Sequence, residues 1–128
     1  MGQQQILLIV ISMIVVGIAI AIAINYATLS YSSANRDAVI ADIHNIIYHA
    51  QQYYRKPMAL GGGGYSFLSY TIPSNFQETP NGTYTLTIEN KDMIYVVGVG
   101  KEIGDDKINK VKVDCKITPE DFSLRILN

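Results

Sequence analysis

The pattern of apolar and polar positions changes twice along the chain. From Ile6 to Ile24 the sequence ILLIVISMIVVGIAIAIAI is apolar all round a helix, with Ser12 its only polar side chain. At the helical rise this run covers about 30 Å, the hydrocarbon thickness of a bilayer. After the polar stretch NYATLSYSSANRD a second pattern begins. Val39, Ile40, Ile43, Ile46, Ile47, Ala50, Tyr53 and Tyr54 recur at helical spacings, and Arg36, Asp42, Asn45, Gln52 and Arg55 take the other side. That spacing predicts an amphipathic helix whose apolar stripe, centred on Val39, Ile43 and Ile47, packs on a sheet. No proline precedes Pro57 and Gly17 is the only glycine inside the apolar run, so one continuous helix over 1–56 is expected, with 6–24 its membrane-like part. Such a helix is on the order of 80 Å long, and the surplus over a bilayer is expected to hold the remainder of the chain off the membrane.

Pro57 and the run Gly61 to Gly64 signal the end of that helix, and 57–82 is expected to be a glycine-rich linking loop with the glycines as a flexible exit. The third pattern is alternation. In KVKVDCKI, Val111, Val113, Cys115 and Ile117 face one way and Lys110, Lys112, Asp114 and Lys116 the other. The same period places Tyr84, Leu86 and Ile88 inside and Thr83, Thr85 and Thr87 outside. It sets Tyr95, Val97 and Val99 on one side of MIYVVGVG, and Phe122, Leu124 and Ile126 on one side of FSLRI. Four strands over 83–128, joined by brief connections rich in turn residues, predict an antiparallel sheet with one face on the helix and one in water. The expected class is α+β, with a single domain of roughly 70 residues beyond the apolar helix.

Charge sharpens this division. The net charge is -1, yet no Asp, Glu, Lys or Arg occurs from Met1 through Asn35. A segment that avoids water is joined to one that lives in it, and no basic patch points to nucleic acid. Cys115 is the only cysteine, so no intramolecular disulfide forms. The apolar run is expected to persist in the mature molecule, because Gln3, Gln4 and Gln5 are not the basic n-region of a signal peptide and the run exceeds a signal core.

Leu7, Leu8, Ile9, Val10 and Ile11 followed by Ile18, Ala19, Ile20 and Ala21, together with the amphipathic helix, glycine-rich loop and C-terminal sheet, resemble the type IV pilins and the pseudopilins of type II secretion. The specific match covers roughly the first quarter of the chain. It departs from the family plan in two places. No Lys or Arg stands ahead of the helix where the family has a basic leader, and the glutamate of the fifth mature position is replaced by Gln5 or, aligning LLIVI, by Ile6. A glutamine accepts a hydrogen bond from a neighbouring amine without neutralising it, so Gln3, Gln4 and Gln5 are expected to cap N-terminal amides by hydrogen bonding alone.

The resemblance implies a structural subunit of an extracellular attachment filament, a homo-oligomer of helical symmetry. Such a subunit waits in the cytoplasmic (inner) membrane and is assembled by pilus machinery. Ile6, Leu7, Leu8, Ile11, Val15, Gly17, Ile18 and Ile22 would pack the filament core. The alternative is a single-pass anchored accessory or binding protein, including a minor pseudopilin of a secretion system.

Candidate chemistry is sparse. His44 and His49 are five apart, which does not bring two imidazoles together on one helix face. Gly104, Asp105 and Asp106 lack the alternating ligand order of a calcium loop, and the glycine run lacks the Lys and Ser or Thr of a phosphate loop. No nucleophile–base set is spaced for catalysis. No enzyme activity, cofactor, metal or small-molecule substrate is therefore expected. Asn81, Gly82 and Thr83 form the only N-glycosylation sequon, and Pro80–Gly82 is equally a turn; Asn81 is kept as a candidate glycan site. The nine tyrosines are read as packing and interface groups.

Overall fold

A computed structural model describes residues 2–128. In chain order it contains α1 (Gly2–Arg55), a 3-10 turn (Met58–Leu60), α2 (Ser74–Gln77), β1 (Glu78–Thr79), β2 (Gly82–Asn90), β3 (Met93–Ile103), β4 (Lys110–Ile117) and β5 (Phe122–Ile126). The chain divides after Tyr31 into two units. The first is helix alone. The second, from Ser32, is an α+β fold in which the C-terminal half of α1 packs on a five-stranded antiparallel sheet of order β1-β2-β3-β4-β5.

The core of the second unit follows from the two periods meeting. Val39, Ile43, Ile46, Ile47 and Ala50 are fully buried on α1, and Tyr84, Ile94, Val96, Val111, Val113, Cys115 and Ile117 are buried on the facing side of the sheet. Each large aliphatic side chain removed from water contributes about 1.5–3 kcal/mol. Gly98, in the middle of β3, sets how closely helix and sheet approach. A Cβ there would lie 2.9 Å from Val39 Cγ1 and 3.1 Å from Ile43 Cδ1, so only a bare backbone fits under the helix.

Five strands replace the expected four. The addition, β1, has two residues paired with Gly82 and Thr83 across the Pro80–Asn81 turn, too short to leave an alternating pattern. Tyr95, Val97 and Val99 do share a side, the half-buried outer one; Ile94, Val96, Gly98 and Gly100 form the core side of β3. Ile88, expected inside, is 36% exposed near the end of β2, and Ile126 is 53% exposed near the end of β5.

Residues 57–82 are more than a link. Phe67, Tyr70 and Ile72 belong to the core, and Tyr70 packs against Tyr53 with ring centroids 5.2 Å apart. The glycine run, expected to be a flexible exit, is a tightly packed helix cap. The backbone N–H of Gly63 donates to Tyr53 O at 2.8 Å and that of Tyr65 to Tyr54 O at 2.8 Å, satisfying carbonyls that the end of α1 leaves open. At Gly63 a Cβ would collide with the Ser66 carbonyl oxygen, and Gly64 has φ +55°, a region that favours glycine.

Candidate assembly and membrane surface

Among the described residues of the first unit the large apolar side chains face outward. Ile6, Leu7, Leu8, Ile11, Val15, Ile18 and Ile22 are 49–65% exposed. Ile11, Val15, Ile18 and Ile22 fall at helical spacings that share one side, and around Gly17 the space within 4 Å of a notional Cβ is empty. The few polar side chains do not disturb this surface. Ser12 Oγ donates to Leu8 O at 2.7 Å, Asn25 Nδ2 to Ala21 O at 3.0 Å and Thr28 Oγ1 to Ile24 O at 2.9 Å. Backbone and these donors are satisfied within the helix, as an apolar medium requires. The helix is long and apolar enough to cross a membrane. Gln3, Gln4 and Gln5 lie exposed in its first turn.

The second unit places Val39, Ile43 and Ile47 at its centre, each fully buried. Around that core runs a polar network whose members are remote in sequence. Asp42, expected on the wet side, turns to the sheet. Its Oδ2 accepts hydrogen bonds from Tyr84 Oη at 2.6 Å, Thr79 Oγ1 at 2.7 Å and Asn81 Nδ2 at 3.0 Å. Burial pushes the Asp42 carboxyl up, and the bonds from Tyr84, Thr79 and Asn81 outweigh it, so the group sits below its ordinary value of 3.8. The same contact, added to burial, pushes the Tyr84 phenol upward. Asn35 donates to Asn81 O at 2.9 Å and accepts from the backbone N–H of Lys101 at 3.0 Å and of Glu102 at 3.2 Å, joining two hairpins to α1. Asn81 is thus half-buried with its amide nitrogen bonded inward, the geometry of a structural turn.

The remaining polar groups are held apart. His44 Nδ1 pairs with Ile40 O at 2.8 Å and its ring meets Phe122 edge-on at 5.3 Å, whereas His49 Nδ1 meets Tyr70 Oη at 3.1 Å. Asp106 caps the β3–β4 loop: N–H donors of Ile108 and Asn109, with the Asn109 and Asn128 side chains, hold its carboxyl far below the usual range. Burial, helped by Asp114, pushes the Cys115 thiol up to about 12, which makes it unreactive. Arg36 Nη2 approaches Asp105 Oδ1 at 2.7 Å in a geometry too poor for a hydrogen bond, and Ser32 Oγ nearby on α1 is buried without a partner. Among the described residues no group of three or more His, Cys, Asp or Glu is placed to hold a metal ion.

No family model, curated protein or solved structure matches this chain.

Proposed function

We propose that this chain is a structural subunit of an extracellular type IV pilin-like filament, held by its apolar helix in the cytoplasmic membrane and polymerised by assembly machinery through that helix. The observation that carries the reading is the exposure of the whole Ile6–Ile24 surface in a chain whose other unit buries its own core. In lipid that surface is satisfied, and helix association there rests on close packing, to which Gly17, Ala19, Ala21, Ala23 and Ala27 lend small side chains. Outside lipid, at about 25 cal/mol per Å² of apolar area, leaving it in water costs on the order of tens of kcal/mol. Copies of the same helix remove that cost. A head-to-tail repeat whose rotation does not close grows into a fibre.

Electron microscopy of material sheared from cells making the protein tests the reading. Fibres built of this chain are expected. Single chains or closed rings in detergent, with bare cell surfaces and stoichiometric co-purification with other membrane proteins, would instead identify an anchored accessory protein.

A further inference from the structure

Two cavities adjoin at the C-terminal end of α1 and share Arg55. The first, about 540 Å³, is lined by His49, Gln52, Tyr53, Arg55, Lys56 and Gly61 and contains no carboxylate. The second, about 380 Å³, adds Tyr54, Tyr65, Thr118 and Glu120. Both fall within the size range of small-ligand sites. We propose that this double cavity binds an acidic oligosaccharide, with a carboxylated sugar in the first cavity and a neutral sugar ring in the second.

The first cavity presents donors. Among the described residues neither Arg55 nor Lys56 has a carboxylate within salt-bridge distance. Arg55 is steadied by donating Nη2–H to Pro119 O at 3.1 Å. Tyr70 is buried and its phenol, pushed up to about 12 by burial, keeps its proton. Its Oη lies 3.1 Å from His49 Nδ1 and steadies that imidazole at the cavity wall. The terminal carbonyls of α1 would otherwise repel an anion. Those of Tyr53 and Tyr54 are instead engaged by the N–H groups of Gly63 and Tyr65.

The second cavity has a different character. Tyr54 is fixed by donating Oη–H to Asp92 Oδ1 at 2.7 Å, and Tyr65 stands perpendicular to it with centroids 5.7 Å apart. Tyr65 is 69% exposed and has φ +63°, a backbone region that strains a bulky residue. Glycine at this position, directly after a run of four, would relieve that strain, so the fold holds an open aromatic ring there at a cost in stability. An aromatic face beside Thr118 and the Glu120 carboxylate suits the C–H face and hydroxyl rim of a neutral sugar. Because Arg55 is common to both cavities, a linked pair of sugars fits the arrangement better than a lone anion.

Calorimetric titration of the full chain in detergent micelles with a hyaluronan tetrasaccharide, which alternates carboxylated and neutral sugars, tests the assignment. Binding is expected, weakened about tenfold or more when the carboxyls are reduced to alcohols, consistent with loss of charge-assisted bonds. Tyr65→Gly is expected to unfold at the same or a higher temperature while binding about tenfold more weakly, since it relieves strain and removes the ring. Lys56→Gln is expected to weaken binding and flatten its salt dependence, and Lys56→Arg to restore both. No binding, equal binding of the reduced sugar, full affinity in Tyr65→Gly, or competition by inorganic phosphate as strong as by the tetrasaccharide would each overturn the proposal. The site lies wholly in the second unit, so loss of fibres alone leaves it standing.

Discussion

The two halves of α1 carry aliphatic residues of the same kind and treat them in opposite ways. Val39, Ile43, Ile46 and Ile47 are fully buried, whereas Ile11, Val15, Ile18 and Ile22 are about half exposed or more. The difference lies in what surrounds them. In 39–50 the apolar positions form a stripe, and a stripe is covered by one sheet. In 6–24 they occupy every side, and a helix apolar all round is covered only by lipid or by several other helices. One half buries its aliphatic side chains within the chain, and the other leaves them exposed.

The largest effect is expected from a charge in the outward half. Val15→Asp places a carboxylate at the centre of the run, where apolar surroundings penalise it by about 2.5–3.5 kcal/mol per copy. We expect fibres to vanish while the thermal transition of the sheet unit is unchanged. Matched truncations follow. Ile43→Ala should lower the stability of the second unit by about 2–5 kcal/mol, as buried large-to-small changes do. Ile18→Ala should leave that transition where it is and act on assembly alone. If both shift unfolding equally, the division at Tyr31 is wrong.

The polar network gives a smaller, pH-dependent effect. Asp42 lies below its ordinary 3.8 in the fold, so its contribution is present above that value and is lost as pH falls through the lower, folded one. Asp42→Asn should cost about 1–2 kcal/mol near neutral pH, the scale of a weakened charge-assisted bond. The variant and the parent should converge in acid-unfolding curves once the pH has fallen below that lowered value.

Much of the fold was legible because two periods were clean: KVKVDCKI and the 39–50 stripe dictate which faces meet. Phe67, Tyr70 and Ile72 escaped because an irregular segment has no period to betray its core residues. The turn of Asp42 toward Tyr84, Thr79 and Asn81 escaped for a related reason, since its partners are remote in sequence and polarity alone marks a residue as wet. Gly98 offered a readable hint, an isolated glycine inside an alternating strand. The cavity around Arg55 offered none, because it is assembled from the helix end, the glycine cap and the β4–β5 turn.

The proposed fibre requires that Ile6–Ile24 be covered by copies of itself. Ile18→Cys can be spin-labelled selectively, because Cys115 is buried and unreactive. In sheared surface material, helices packed about 8–10 Å apart should give strong dipolar broadening between labels, abolished by dilution with unlabelled chain. A narrow, magnetically isolated spectrum from that material would contradict such packing.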